Sequence, residues 1–225
     1  MNQFSANRKL FSEKDIATVQ QQHVLLVGAG GLGGYVANGL IRFGVKRMTI
    51  VDMDKYDISN LNRQLFSSHD TIGLYKANVL KNACLRIYPE ALIKTHLKPI
   101  EMIEETLKNE AFDYIIDAVD SISTRLYLEQ LTSKLDIPLV HGAVGGWYGQ
   151  LGIVMPNSSL LSRLYSKNKE GLEKTLGSPT FAPAVVGSMM VSEFIKHVIN
   201  DDAALENNIL FIDLQHHDYH FLKMK

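Results

Sequence analysis

The sequence predicts a doubly wound parallel α/β sheet with an antiparallel extension at its C-terminal end. Three observations carry this. Short apolar runs alternate with segments of helical spacing from His23 to Met155, the pattern of strands joined by crossover helices. A glycine run, Gly28 to Gly33, lies between the first apolar run and the first amphipathic segment. After one long apolar helix, the chain ends in two short strand-like stretches separated by a polar turn.

Taken in order, Ser12-Glu13-Lys14-Asp15 reads as a helix start, with Ser12 as N-cap and acids in the first turn. That helix reaches about Gln21, so residues 1–22 form an N-terminal arm and helix. His23–Val27 is a buried parallel strand. The glycine run turns the chain, and a helix carrying Leu32, Val36, Leu40 and Phe43 follows, ended by Gly44. Residues 47–52 form a second strand, and 53–71 are polar with little periodicity. A helix over 76–88 stops before Pro89. The spacing then predicts a strand over 91–97, a helix over 101–109, a strand over 112–117, a helix over 121–134, and strands over 137–141 and 146–155. Residues 156–180 read as a long functional loop. A helix over 182–200 and a hairpin of 209–214 with 219–223 close the chain.

At about 150 residues per domain, 225 residues suit one large α/β unit, a single domain over 1–225. The net charge of −1 removes the basic footprint of a nucleic-acid binder. No apolar run reaches the roughly 18 residues that span a bilayer, so no membrane partner is expected. Met1 to Asp15 lacks the apolar core of a signal peptide. The single cysteine, Cys84, allows neither an internal disulfide nor a Cys-x-x-Cys zinc site. A reducing, cytoplasmic setting is the expectation.

The chemistry concentrates in a few motifs. Gly28-Ala29-Gly30-Gly31-Leu32-Gly33 follows a strand and opens a helix, which makes the fold Rossmann-like. Its glycines let backbone N–H groups approach a phosphate at the positive end of the helix. Asp52 ends the next strand, where a carboxylate can accept from a ribose. An NAD-binding unit would read the same way to this point. Asp54, Ser59-Asn60-Leu61-Asn62-Arg63-Gln64 and Lys76 come next. Arg63 offers a planar fork and Lys76 a point charge, which suit a triphosphate better than a dinucleotide. Asp117-Ala118-Val119-Asp120-Ser121 ends another strand. Asp120 there can hold a magnesium ion, which needs few protein ligands, or cap the following helix, or both. Arg125, one turn on, either pairs with Asp120 or lies on the surface. His216, His217 and His220 near Asp213 and Asp218 read as exposed imidazoles of a turn, and Met189 and Met190 as core filling.

These motifs in this order, with Gly73-Leu74-Tyr75-Lys76, Pro138-Leu139-Val140-His141-Gly142-Ala143 and Gly149-Gln150, resemble the ThiF/MoeB/HesA group, bacterial relatives of ubiquitin-activating enzymes. The resemblance runs from Asn7 to Leu222. It implies adenylation, with Mg-ATP, of the C-terminal glycine carboxylate of a ubiquitin-like sulfur carrier. By that resemblance Gly28, Gly30, Gly31 and Gly33 pack on the nucleotide, with Asp54, Ser59, Gln64 and Ser121 around it. Asp52 holds the ribose, Asn60, Arg63 and Lys76 hold phosphates, and Asp120 positions magnesium. Arg8 matches an N-terminal arginine that reaches into a partner subunit's site, which implies a homodimer. Residues 156–180 match the family's crossover loop.

The departures narrow the reading. Relatives with zinc carry two Cys-x-x-Cys pairs, and this chain has none. Gly177-Ser178-Pro179-Thr180-Phe181-Ala182-Pro183, where some relatives carry a reactive cysteine, lacks one, and Ser121 replaces the second residue of an Asp-Asn pair. Adenylation is untouched by these changes; covalent sulfur transfer is put in question. The alternatives are activation of a carboxylate on a tRNA nucleoside, an NAD(P)-binding oxidoreductase, or a nucleotide-binding subunit without its own activity.

Overall fold

Strands that are apolar on both faces can only sit between two layers of helices, and four of them make the centre of this molecule. They are β1 (His23–Val27), β2 (Arg47–Val51), β4 (Tyr114–Asp117) and β5 (Leu139–Gly145), buried almost throughout. With β3 (Leu92–His96), β6 (Tyr148–Val154), β7 (Asn208–Asp213) and β8 (Asp218–Lys223) they form one eight-stranded sheet. Its order is β3-β2-β1-β4-β5-β6-β7-β8. The first five strands run parallel and the last three pairings are antiparallel. The computed structural model describes residues 3–166 and 173–223.

The chain leaves β1 toward β2 on one side and returns to β4 on the other. The crevice beyond the carboxyl ends of β1 and β4 is therefore the topological switch point, where such sheets bind ligands.

One face of the sheet is covered by α1 (Glu13–Gln21), α2 (Gly31–Phe43), α3 (Lys76–Ile87) and α8 (Phe181–Val198), through Leu40, Ile41, Leu80 and Phe194. The other is covered by α4 (Glu104–Leu107), α5 (Ile122–Leu135) and α6 (Leu160–Leu164), through Leu107, Leu128 and Leu160. A four-residue helix, α7 (Glu173–Leu176), precedes α8. Local chemistry sets most ends. The Ser12 hydroxyl accepts from Asp15 N at 3.1 Å, while the Asp15 carboxylate accepts from Ser12 N at 3.2 Å. Gly44 stops α2 at φ +109°, a conformation costly for other residues. No helix among the described residues is long and apolar enough to cross a membrane.

The structure departs from the sequence reading at three places. The helix expected over 101–109 is a 3-10 turn, Ile100–Met102, followed by the short α4. The glycine run is not all turn, since α2 already begins at Gly31. The loop expected over 156–180 contains α6 and α7, and its residues 167–172 lie outside the described residues. α6 forms because Glu129, from α5, accepts from the backbone N–H of Leu161 at 2.6 Å and of Ser162 at 3.0 Å. A cap supplied from another helix leaves no mark in the local sequence.

Cys84 is fully buried on α3, and burial pushes its thiol up to about 12. Met190 is likewise buried, as expected of core filling. His216 pairs with Asp213 at 2.9 Å in the β7–β8 turn, and among the described residues no three metal-ligating side chains gather.

Candidate active site

Beyond β1 and β4 lies a cleft of about 290 Å³. Its floor is the glycine turn. Gly28 donates its N–H to the Val51 carbonyl at 2.9 Å and sits at φ +96°. A Cβ added there would stand 2.4 Å from the Ala118 carbonyl oxygen, so only glycine lets the β1 and β4 turns meet. α2 opens at Gly31 with no side-chain cap, which leaves its first N–H groups directed at the cleft.

Asp52 ties this turn to the next. Its Oδ2 accepts from Ala29 N at 2.7 Å and its Oδ1 from Asp54 N at 2.7 Å. Burial raises its carboxyl above the ordinary range, against the pull of those two N–H groups and of Lys76. The polar stretch after β2 folds back on itself: Tyr56 N donates to Leu74 O, Gly73 N to Tyr56 O, and Lys76 N to Asp54 O. This return brings Lys76, buried at the first turn of α3, against Asp54 at 2.9 Å. Arg63 reaches the rim from the turn after Asn60 and donates Nη1 to Ser59 O at 2.9 Å and to Asn62 Oδ1 at 2.8 Å.

The cleft thus gathers Gly28, Gly30, Gly31, Asp52, Asp54, Arg63, Gln64, Lys76, Asp120 and Ser121. Four other candidates lie off its lining. Gly33 packs under the turn, where a Cβ would stand 2.0 Å from the Gly28 carbonyl oxygen. The Asn60 Oδ1 accepts from Asp57 N at 3.1 Å and caps the turn that presents Arg63. Ser59 supplies the carbonyl that Arg63 holds. Arg8 sits on a 3-10 turn, Ser5–Lys9, with its Nη1 3.8 Å from Glu13.

Lys98, Glu101, Thr124 and Ser178 also line the cleft, and none of them is among the expected site residues. Lys98 and Glu101 follow β3 directly, so the rule that ligands gather at carboxyl ends reaches them. Ser178 comes from the far end of the chain, in the Gly177–Pro183 stretch of the expected crossover loop.

Two fits bear on a bound nucleotide. Gln64 is buried beside Gly30, and its Oε1 finds no partner among the described residues, so a ligand hydroxyl or amine would satisfy it. Asp120 is exposed to the cleft and among the described residues makes no hydrogen bond or ion pair. Ser121 caps α5 instead, its hydroxyl accepting from Thr124 N at 3.4 Å, which leaves the Asp120 carboxylate for a ligand.

Arg125 corrects the sequence reading, which had it pair with Asp120 or face water. It is 3% exposed and lies 3.6 Å from Asp117, itself wholly buried. Next to this pair, His141 Nδ1 is 2.7 Å from the Asp117 carboxylate, and Gln150 Nε2 approaches His141 Nε2 at 3.1 Å. Burial lowers the His141 pKa, with Asp117 opposing. Burial does the same to His23 and His197. Such groups stay neutral when folded and take a proton when unfolded. Their stability is fully present above about pH 6.5 and falls as pH drops below it, by up to about 1.4 kcal/mol per pH unit for each. Thermal melts from pH 7.5 to 5.5 should therefore show a falling midpoint, with a shallower fall in His141→Gln. An equal slope in the variant would remove His141 from the account.

A model of the ThiF family matches residues 4–225. The chain belongs to the ThiF family. Among ThiF-family relatives, it is 35% identical over 141 residues to the tRNA threonylcarbamoyladenosine dehydratase of Bacillus subtilis, covering 62% of this chain and 56% of that protein. It is 28% identical over 215 residues to the adenylyltransferase and sulfurtransferase MOCS3 of Culex quinquefasciatus, covering 92% of this chain and 48% of that one. The chain thus spans about half the length of these curated relatives. The fold is that of Escherichia coli MccB solved with ATP, at a TM-score of 0.83 and 17% identity, covering all of this chain and 72% of MccB.

Proposed function

We propose that this ThiF-family chain uses Mg-ATP to adenylate a carboxylate, and that the carboxylate is the C-terminal glycine of a ubiquitin-like sulfur carrier. The observation that carries the reading is the cleft itself. It joins a glycine turn at a helix N-terminus, the cations of Arg63, Lys76 and Lys98, and the Asp120 carboxylate, which among the described residues has no partner, at the switch point; no nucleophile–base pair lines it among the described residues.

This chemistry needs no base. A glycine-terminal carboxyl has a pKa of about 3.5 and is ionised at neutral pH. Its oxygen attacks the α-phosphorus of ATP. The new O–P bond forms as the bond to the α–β bridging oxygen breaks, and pyrophosphate leaves with that electron pair. No proton moves. The obstacle is an anion approaching a polyanion, so the residues act by positioning and by charge. Backbone N–H groups at Gly30 and Gly31 and the side chains of Arg63 and Lys76 take the phosphates. Lys76 can serve by exchanging part of its contact with Asp54 for a phosphate oxygen. Asp52 and Gln64 take the ribose side. Asp120 would hold magnesium, which when bound adds positive charge against the phosphate oxygens.

A homodimer fits two features. Arg8 lies off this chain's own cleft, as a residue acting on a second copy would. Ile58, Leu65 and Leu74 are exposed on the stretch that forms the rim, at 64, 40 and 51%, and a second copy would cover them.

The test is ATP–pyrophosphate exchange. Exchange that requires a small carrier ending in Gly-Gly supports the proposal; none with such carriers argues against it. The likeness to a tRNA threonylcarbamoyladenosine dehydratase favours a second reading, a carboxylate on a tRNA nucleoside. Exchange that requires tRNA instead would select it. The family match weighs against an NAD(P)-binding oxidoreductase, and titration with ATP beside NAD separates the two directly.

A further inference from the structure

A carboxylate with no side-chain partner of its own can be aimed only by the backbone that carries it, and here that backbone is held from below. Val119 precedes Asp120. Its N–H donates to Asp117 Oδ1 at 3.2 Å, and its carbonyl accepts from Arg125 Nη2 at 2.5 Å. Both polar groups of this one residue are thus gripped by the two members of a buried ion pair. Ala118 N donates to Val27 O at 2.9 Å, which ties the same turn to the glycine loop.

Arg125 is held in its turn. Its Nη1 donates to the Tyr165 hydroxyl at 3.4 Å, and that hydroxyl also accepts from Gln150 Nε2 at 2.5 Å and lies 3.3 Å from His141 Nε2. Tyr165 follows α6 in the segment between β6 and α8, so the brace joins β4, β5, β6, α5 and that segment. Buried guanidinium is costly to maintain, and its planar fork can grip a carboxylate and a carbonyl together as a lysine cannot.

We propose that Arg125 is a positioning residue for magnesium: by gripping the Val119 carbonyl against Asp117 it sets the direction of the Asp120 carboxylate. The inference rests on the reading of Asp120 as the magnesium carboxylate. Partners that orient a metal ligand are worth about 10- to 100-fold in metal affinity, and that is the effect expected here.

The experiment measures metal rather than turnover. Mn²⁺ replaces Mg²⁺, and its paramagnetic resonance signal is titrated with full-length protein and a non-hydrolysable ATP analogue. Arg125→Lys should raise the Mn²⁺ dissociation constant about 10-fold, while nucleotide affinity measured in EDTA changes less than about twofold. The double variant Arg125→Lys/Asp120→Ala should bind Mn²⁺ no worse than Asp120→Ala alone, because both changes act on one ligand. If Arg125→Lys leaves Mn²⁺ affinity unchanged, or weakens nucleotide in EDTA just as much, the arginine is packing only and the proposal fails. Should Arg125→Lys not fold, Tyr165→Phe takes its place: a smaller loss of Mn²⁺ affinity supports the brace, and none overturns it. If Asp120→Ala itself leaves Mn²⁺ binding intact, the fault lies in the parent reading instead.

Discussion

Asp120→Ala should lower ATP–pyrophosphate exchange at least about 100-fold, the scale on which removing one electrostatic stabiliser from a preorganised site is felt. The fold should not notice. Asp120 is exposed and among the described residues makes no hydrogen bond or ion pair, so its loss should cost no more than about 0.5 kcal/mol of stability. Loss of activity with an unchanged melting midpoint is the expected pair of results. Exchange that survives Asp120→Ala would sink the magnesium assignment. The same variant tests the dimer. Arg8→Ala should be inactive too if Arg8 works on a second copy, and mixing the two inactive proteins should restore part of the activity in hybrid dimers. Arg8→Ala with full activity would remove Arg8 from the site.

Gly33→Ala should abolish nucleotide binding. The reason is a single contact. The new methyl would lie 2.0 Å from the Gly28 carbonyl oxygen and 2.8 Å from its carbon. A flexible side chain could yield, but Gly28 is backbone held in place: its N–H is bonded to Val51, and its φ of +96° packs it so closely on the Ala118 carbonyl that an added Cβ would stand 2.4 Å from that oxygen. Alanine gains roughly 1 kcal/mol over glycine inside a helix, far less than such an overlap costs. The strain therefore passes into the phosphate-binding turn or into the β1–β4 seam. In wild type, ATP at 100 times its Kd adds about 2.7 kcal/mol, and each kcal/mol is worth roughly 2–4 °C for a chain of this size. The ATP-induced rise in midpoint should vanish in Gly33→Ala. Gly34→Ala is the control, because its methyl would meet Leu65 and Phe66 at 3.5 and 3.6 Å, ordinary contact distances. A normal ATP shift in Gly33→Ala would show that the turn does not cradle phosphate.

Some of this was legible in the chain. Apolar runs such as Val24–Val27 and Tyr114–Asp117 are buried on both faces, and only a central parallel strand does that. The glycine turn and Asp52 could be placed from spacing, because a βαβ unit puts the ends of its strands side by side. Arg63 and Lys76 lie in the connection from β2 to α3 and Asp120 just after β4, and both strands end at the same edge, so the fold class alone brought these two connections to one cleft.

What the sequence by itself determined is this local grammar: which segments are strands or helices, and hence which loops share the cleft. What only the tertiary structure decided is which distant groups meet. Arg125 turns inward because a buried Asp117 waits for it, Lys76 meets Asp54 because the 53–75 stretch folds back, and α6 exists because Glu129 caps it from α5. The physical reason is range. Backbone preference and apolar period act over a few residues and can be read in one dimension. The partner of a buried charged group is settled by whatever the packed layers place within about 4 Å, and for Arg125, Lys76 and Glu129 that partner is 8, 22 and 32 residues away along the chain.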